Sequence, residues 1–212
     1  MRTVIVFTGG DPIDPSLAAS LPDAAFVIAA DSGIEQAVAI GRHIDLAVGD
    51  FDSVGREALE RVVASGTRVE RHPMAKDATD LELGLLAAAT EGATDVVVVG
   101  GHGGRVDHFL ANALLLTSPA FARMRIEAHI GQARIVVVHD RAQLRGAPGD
   151  IVSLLPVGGP AIGVRTAGLR FPLHGEDLQP GTSRGVSNEL VESVATVEVD
   201  QGTLLVVQPG RT

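Results

Sequence analysis

The sequence predicts an α/β N-terminal domain with a mainly parallel sheet over residues 1–130, followed by a smaller all-β sandwich domain over residues 131–212. Short apolar runs alternate with helical patterns through the first 130 residues, which is typical of a parallel sheet covered on both faces by helices. Beyond residue 131 the helical periodicity fades. Short β-rich runs there are separated by glycine and proline turns, as in small all-β domains.

The individual elements follow from the same patterns. Several strands of the first region are almost wholly apolar, as buried parallel strands tend to be. The predicted strands of this region are 3–8, 25–30, 45–48, 68–71, 95–99 and 125–130, and the predicted helices are 34–40, 56–64, 78–90 and 106–116. In the second region the predicted strands are 134–138, 151–155, 162–165, 195–199 and 204–207.

Composition restricts the kind of protein. The 212 residues are 45% hydrophobic and 20% charged, which is enough apolar material for a folded core. There is no cysteine, so carboxylates or histidines must hold any metal. The net charge of -9 argues against a nucleic-acid partner. No apolar run approaches the roughly 18 residues of a membrane helix, and the start does not resemble a signal peptide. We therefore expect a cytoplasmic protein without a membrane partner.

Two acidic clusters follow predicted strands, where ligands bind in open α/β sheets. In Ala30-Asp31-Ser32-Gly33, Asp31 could face a ribose or a metal, and helix capping by Asp31 or Ser32 is the alternative. In Gly49-Asp50-Phe51-Asp52-Ser53, an extended backbone would point both aspartates the same way, toward one Mg²⁺. A polar turn with Ser53 capping the next helix is the alternative for this second cluster.

A third cluster, Lys76-Asp77-Ala78-Thr79-Asp80, opens a predicted helix. Asp77 and Asp80 are three residues apart and can lie on one face of its first turn, beside the only lysine of the chain. That arrangement suits a polyphosphate carrying Mg²⁺. Asp77 as N-cap and Asp80 at the third helical position is an equally good structural interpretation.

The fourth cluster follows the fifth predicted strand. It is the run Gly100-Gly101-His102-Gly103-Gly104-Arg105-Val106-Asp107-His108. Its four glycines allow backbone N–H groups to wrap a phosphate, and an arginine fork can bind one. The two histidines lack partners at metal-ligand spacing, so we interpret them as polar loop residues.

Together with Asn112 and Ser187-Asn188-Glu189, these clusters resemble the thiamine pyrophosphokinase family over nearly the whole chain. The resemblance implies an α/β domain followed by a β-sandwich, and a homodimer that uses ATP and Mg²⁺. It places thiamine at the dimer interface, against the partner's sandwich. Asn112, Ser187 and Asn188 are the residues that it implies for thiamine binding. Some relatives stack an aromatic ring near thiamine, and Phe171 is the only phenylalanine of the second region.

The resemblance also implies roles for the four clusters. Asp50, Asp52, Asp77 and Asp80 would cage the metal, while Arg105 and Lys76 would hold phosphates. The nucleotide site would be shaped by Asp31, Ser32, Gly33, Gly100, Gly101, Gly103 and Gly104. The hydroxyl of thiamine would attack the β-phosphorus of ATP, with Asp80 or Asp107 accepting its proton. A hydroxymethyl-pterin pyrophosphokinase and a non-catalytic nucleotide or thiamine-diphosphate sensor remain the alternatives.

Overall fold

The computed structural model describes residues 1–23, 25–73 and 78–210. Lys76 and Asp77, which the sequence places at the site, lie outside the described residues. The chain divides into two compact units, one formed by Met1–Leu115 with Arg123–Gly131, the other by Leu116–Ala122 with the chain from Gln132 onward. No helix in the described ranges is both long enough and apolar enough to cross a bilayer.

The first unit is built on six parallel strands. They are β1 (Thr3–Phe7), β2 (Phe26–Ala30), β3 (Leu46–Gly49), β4 (Arg68–Arg71), β5 (Asp95–Val99) and β6 (Arg125–Ile130). Their order across the sheet is β6-β5-β1-β2-β3-β4, with each neighbouring pair parallel. The chain therefore winds outward from β1 to β4 and then returns to the other side of β1. Such a reversal is the usual position of a ligand site.

Four α-helices connect these strands. They are α1 (Gly33–Ala39), α2 (Arg56–Ala64), α3 (Asp80–Thr90) and α4 (Val106–Leu115), with a 3₁₀ turn at Pro15–Ala19. Alternate residues of the central strands, such as Ile5 and Phe7, pack with Ile34 of α1 and Val62 of α2. The helix α3 packs against β1, β2 and β3. Its Gly84 approaches the side chain of Val6, which alternates with Ile5 and Phe7 and so points to the other face of the sheet.

The second unit is all β apart from a 3₁₀ turn at Pro119–Phe121. Its strands are β7 (Ala133–Val138), β8 (Arg141–Arg145), β9 (Ile151–Pro156), β10 (Ala161–Ala167), β11 (His174–Leu178), β12 (Asn188–Glu189), β13 (Val194–Glu198) and β14 (Leu204–Gln208). They form two antiparallel groups, β12-β9-β14-β7 and β11-β10-β13-β8. Buried residues of both groups share one core, among them Val138, Leu144, Leu154 and Val197, so this unit is a sandwich.

The observed architecture confirms the predicted fold class. The six strands of the first region and its four helices occur where the sequence predicts them, within two residues at each end. In the second region the strands β8, β11 and β12 were not predicted. Their sequences are mostly polar: β8 buries only Leu144 and β11 only Leu178, and β12 has two residues. A single buried position gives no alternation that a pattern can detect.

Candidate active site

A pocket of about 470 Å³ lies at the carboxyl ends of β1, β2, β3 and β5 in the first unit. Its wall includes Gly9 and Gly10 after β1, Asp31 after β2, Ser53 after β3 and Gly101 after β5. Because β1 lies between β2 and β5, the pocket opens where the winding of the sheet reverses. Its volume is in the range of ordinary small-molecule sites.

Asp31 is a buried polar residue of the pocket. Its backbone is left-handed, with φ 47°, and its N–H donates to the carbonyl of Val48 at 2.9 Å. One carboxylate oxygen, Oδ2, accepts a hydrogen bond from the Ser53 hydroxyl. The other, Oδ1, is buried and has no hydrogen-bond partner among the residues that the structure describes. A buried carboxylate oxygen left in this way is costly unless a ligand completes it.

The end of β3 approaches Asp31 closely at Gly49. With φ 145°, Gly49 has a conformation that favours glycine, and a Cβ there would lie 3.2 Å from the Asp31 Cβ. This close approach brings the residues that follow Gly49 in the chain next to Asp31.

Asp50 and Asp52 meet through a turn, not through the extended backbone that the sequence predicts. Phe51 between them is left-handed, with φ 62°, and its ring is buried in the core. The turn lets the Asp52 N–H donate to Asp50 Oδ1 at 3.2 Å. Burial of the Phe51 ring holds this uncommon conformation in place and leaves both carboxylates beside Asp31.

Three carboxylates converge as a result. Asp31, Asp50 and Asp52 each offer one oxygen, and these three atoms lie within 4.8 Å of one another. The charge of Asp50 is the main reason that the pKa of Asp52 is raised, with further contributions from burial, from Asp31 and from Asp80. Like charges at this spacing repel, and a cation between them would relieve the repulsion. An oxygen-only donor set of this kind fits Mg²⁺.

The sequence leaves Asp31 facing either a ribose or a metal, and the resemblance implies the nucleotide site for it. Asp31 belongs to the acidic group itself. Asp80 lines the pocket and adds to the local negative charge. The remaining expected member, Asp77, lies outside the described residues.

The capping alternatives are not what the structure shows. The helix α3 begins at Asp80, with Thr79 as its N-cap accepting from the Glu82 N–H at 3.2 Å, so the suggested N-cap at Asp77 is wrong. Thr79 and Glu82 have the spacing of a capping box. Ser32, before α1, makes no side-chain capping bond, and the N-cap of α2 is Gly55. Ser53 is instead bound to Asp31, so its hydroxyl belongs to the pocket.

The glycine-rich loop after β5 forms the opposite wall. Gly101 and Gly103 line the pocket, and the Gly101 N–H donates to the carbonyl of Gly9 at 2.7 Å. Gly100 lies behind them against the Thr8 carbonyl. Gly33 is buried at the start of α1, beside the Phe7 carbonyl, and Gly104 has φ 55° just before Arg105.

Arg105 and Asp107 form a bidentate ion pair at the pocket rim. Arg105 Nη2 lies 2.6 Å from Asp107 Oδ2, and its Nε donates to Oδ1 at 3.2 Å. This pairing lowers the pKa of Asp107 to about 2, although both side chains are exposed. A carboxylate with so low a pKa is a poor proton acceptor at neutral pH. Asp107 could accept a proton only once Arg105 has another partner, so Asp80 and Asp107 both stay candidates for that role.

The remaining polar residues of this wall lie on or near α4. His102 Nδ1 is 3.1 Å from Asp11 Oδ2, and its ring meets the Phe109 ring edge-on. His108 and Asn112 also line the pocket. The helix therefore presents both an amide and an imidazole to any molecule bound there.

In the second unit, Asn188 has a structural position. It is 5% exposed, its Oδ1 accepts from the N–H groups of Phe171 and Glu189, and its Nδ2 donates to the Phe171 carbonyl at 2.8 Å. The neighbouring Ser187 is left-handed and donates its N–H to Ser153 Oγ. The Phe171 ring itself is 61% exposed. Asn188 thus fixes the backbone that presents an exposed aromatic ring.

Comparison with known families decides the relationship. The family described as "Thiamin pyrophosphokinase, catalytic domain" matches residues 17–128, more than half of the chain. The chain belongs to the thiamine pyrophosphokinase family. A second description, "Thiamin pyrophosphokinase, vitamin B1 binding domain", matches residues 136–204.

Individual relatives agree with this family. A curated thiamine pyrophosphokinase of Bacillus subtilis is 25% identical, with 98% of this chain and 99% of the relative covered. Thiamine pyrophosphokinase 2 of Arabidopsis thaliana is also 25% identical, over 79% of this chain and 66% of the relative. The crystal structure of the Bacillus subtilis protein covers 100% of both chains with a TM-score of 0.87, and that of the Geobacillus thermodenitrificans protein gives 0.82 at 25% identity.

Some features of this thiamine pyrophosphokinase family member could not be recognised in the sequence. The membership of Asp31 in the acidic group depends on its left-handed backbone and on Gly49. The capping box is different, because the spacing of Thr79 and Glu82 in the sequence was enough to predict it. The buried Gln36 of α1, which contacts the loop after β1, carried no signal beyond being a polar residue in a mostly apolar helix.

Proposed function

We propose that this chain is a thiamine pyrophosphokinase, which transfers the terminal diphosphate of ATP to the hydroxyl of thiamine and releases AMP. The observation that carries the proposal is the group of three carboxylates that includes Asp31, whose buried Oδ1 has no partner among the described residues and which shares one pocket with a glycine-rich loop. That combination suits a metal–polyphosphate, and the family supplies the acceptor. We place the enzyme in the cytoplasm, without nucleic-acid or membrane partners, as its composition predicts.

Asp31, Asp50 and Asp52 would hold Mg²⁺, with Asp80 and the expected Asp77 beside them. Bound there, Mg²⁺ supplies neutralisation of the charge on the phosphate oxygens. Ser53 keeps one oxygen of Asp31 occupied, which leaves Oδ1 for the ion. The acidic surroundings also suit the cationic ring of thiamine.

The opposite wall would bind the polyphosphate. The N–H groups of Gly100 and Gly101 already donate to the carbonyls of His129 and Gly9, so the backbone of the 102–104 segment would surround the phosphate oxygens, as in other glycine-rich anion sites. Arg105 would exchange its carboxylate partner Asp107 for a phosphate, together with the expected Lys76. Both side chains are exposed to solvent, so giving up this partner costs little. The thiamine oxygen then bonds to the β-phosphorus, the bond from that phosphorus to the leaving AMP oxygen breaks, and the hydroxyl proton passes to Asp80 or Asp107.

Thiamine would lie against Asn112 of one chain and the Ser187-Asn188 segment of a partner chain. Phe171, exposed beside Asn188, supplies an aromatic face in a unit without tryptophan. A two-fold homodimer would bring these residues together. It would also cover the apolar face of α4, where Val106, Leu110 and Leu114 recur every four residues and are each more than half exposed.

The experiment is a product analysis by phosphorus NMR with ATP, Mg²⁺ and thiamine. AMP and thiamine diphosphate are the expected products. ADP with thiamine monophosphate would refute diphosphate transfer. A parallel reaction with a hydroxymethyl pterin should give no AMP, and turnover of the pterin in place of thiamine would reassign the acceptor.

A further inference from the structure

Gln36 is a buried polar side chain in the middle of α1, and it is 8% exposed. Its Oε1 accepts a hydrogen bond from the Ile13 N–H at 3.1 Å. Its Nε2 donates to the carbonyls of Gly10 and Asp11 at 3.0 and 3.1 Å. One amide therefore contacts three backbone groups of the same loop, and both of its N–H bonds are used.

The three bonds to Gln36 satisfy backbone groups of the loop, which has no neighbouring strand among the described residues to pair with them. Residues 8–13 leave β1 without continuing as strand or helix. The three bonds are partly buried although Gly10 and Asp11 are exposed residues, so water would replace a lost partner only in part. Gln36 supplies all three partners, so the path of this loop depends on one side chain of α1.

The same loop is joined to the glycine-rich loop after β5. The Asp11 N–H donates to the His102 carbonyl, Asp11 Oδ2 lies 3.1 Å from His102 Nδ1, and Gly101 donates to Gly9. Gly10 makes the contact possible, because a Cβ at this position would lie 2.2 Å from the His102 carbonyl oxygen. The position of the 101–103 segment is thus tied to the 9–11 segment.

We propose that Gln36 is a positioning residue for the polyphosphate of the nucleotide, acting through the 9–11 segment on the glycine loop. Its helix begins directly after Asp31 and Ser32, so one rigid element connects the acidic wall of the pocket to the phosphate wall. This role rests on the proposed function, and it concerns the ATP side of the reaction alone.

The test uses two variants of similar length. Gln36→Met removes all three hydrogen bonds. Gln36→Glu keeps the oxygen that accepts from the Ile13 N–H, but it replaces the donor to the Gly10 and Asp11 carbonyls with a second oxygen, which repels them. The KM for ATP should rise by about tenfold in Gln36→Met, as expected for the loss of buried hydrogen bonds, and further in Gln36→Glu. The KM for thiamine should stay within about twofold of the wild type, because the loop that Gln36 holds is hydrogen-bonded to the phosphate wall.

One control and one further variant separate this role from general damage to the fold. Gln143→Glu adds the same charge at an exposed position of β8 and should leave both KM values unchanged. Asp11→Ala breaks the exposed link to His102 from a residue that does not line the pocket, and it should raise the KM for ATP by a smaller factor. This second variant keeps the proposal testable if the Gln36 variants do not fold.

The outcomes distinguish the two proposals. Wild-type enzyme that forms no AMP would refute the proposed function, whereas active wild type with an unchanged KM for ATP in Gln36→Met would refute the role of Gln36. Equal increases in both KM values that follow a lowered Tm would also refute it. Calorimetric binding of a non-hydrolysable ATP analogue with Mg²⁺ should weaken by the same factor as the KM for ATP rises.

Discussion

The acidic pocket of the first unit and the Asn188 segment of the second unit differ in how their polar groups are satisfied. In the pocket, three carboxylates crowd together and Asp31 Oδ1 is buried without a partner among the described residues. At Asn188, the side-chain amide is bonded on both its oxygen and its nitrogen to nearby backbone. A buried carboxylate oxygen without a partner indicates that a ligand binds there, whereas a buried amide with partners on both its oxygen and its nitrogen indicates a structural support.

The largest expected effect is at the acidic wall. Asp50→Asn or Asp52→Asn should lower kcat/KM by roughly 10²-fold or more, because each removes charge from the metal site. The Tm of the metal-free protein should not fall, since the substitution relieves repulsion between carboxylates. Steady-state kinetics and thermal unfolding in the presence of a chelator measure the two quantities.

Asp23→Asn is the matched control for these variants. Its side chain is fully exposed, beside Arg42 and away from the pocket lining. It should leave kcat/KM unchanged. Near-normal activity of Asp50→Asn at saturating Mg²⁺ would contradict the role given to the acidic wall.

Substitution of Asn188 should lower the stability of the protein, in contrast to substitution of Asp50 or Asp52. Asn188→Ala leaves the Phe171 backbone N–H and carbonyl without their partner, so the protein should lose about 1–3 kcal/mol of stability. The KM for thiamine should rise much more than the KM for ATP. Phe171→Leu, measured beside it, should raise the KM for thiamine with little loss of Tm. An Asn188→Ala protein with unchanged Tm and unchanged KM for thiamine would show that Asn188 is not a structural support, which contradicts the contrast between the two regions.

Mixing of chains tests whether the two regions meet across a dimer. A chain inactivated by Asp50→Asn and one weakened by Asn188→Ala should partly restore activity when combined, because some mixed dimers then contain one intact site. The measurement is the rate of AMP formation at low thiamine, with mixed dimers identified by mass. If confirmed mixed dimers show no recovery, each chain builds its thiamine site alone.

The smallest expected effect is electrostatic. The pKa of Asp107 is lowered to about 2 from 3.8 by Arg105, so this pair stabilises the fold above pH 3.8 and loses its effect as the pH falls toward 2. Both groups are exposed, so the change in stability should be slight. An NMR titration should return the pKa of Asp107 toward 3.8 in Arg105→Gln, and also when a Mg²⁺–nucleotide draws Arg105 away. No change on nucleotide binding would mean that Arg105 keeps its carboxylate partner.

The fold could be predicted from the sequence wherever several residues of one element are buried. Apolar runs predict the strands β1 and β5. The strands β8 and β11 each bury one leucine, so their sequences show no alternating pattern. The position of the pocket also agrees with the sequence, because several of its lining residues come directly after predicted strands.

The detailed geometry of the site depends on facts that spacing does not encode. Asp50 and Asp52 converge because Phe51 is left-handed and buried, and Asp31 joins them because Gly49 allows a close approach. The amide of Asn188 turned out to hold the Phe171 backbone, which no sequence pattern distinguishes from an amide that contacts a ligand. Long-range contacts of this kind appear only once the chain is folded.

The central claim is that the acidic wall binds a divalent cation together with the nucleotide. Electron paramagnetic resonance can follow Mn²⁺ binding in the presence of a non-hydrolysable ATP analogue, with the analogue alone as the blank. We predict saturable binding to the wild type and to Asp23→Asn, and binding weakened by about tenfold or more in Asp31→Asn, whose unpartnered oxygen loses its charge. Equal Mn²⁺ affinity in Asp31→Asn and the wild type would contradict the account.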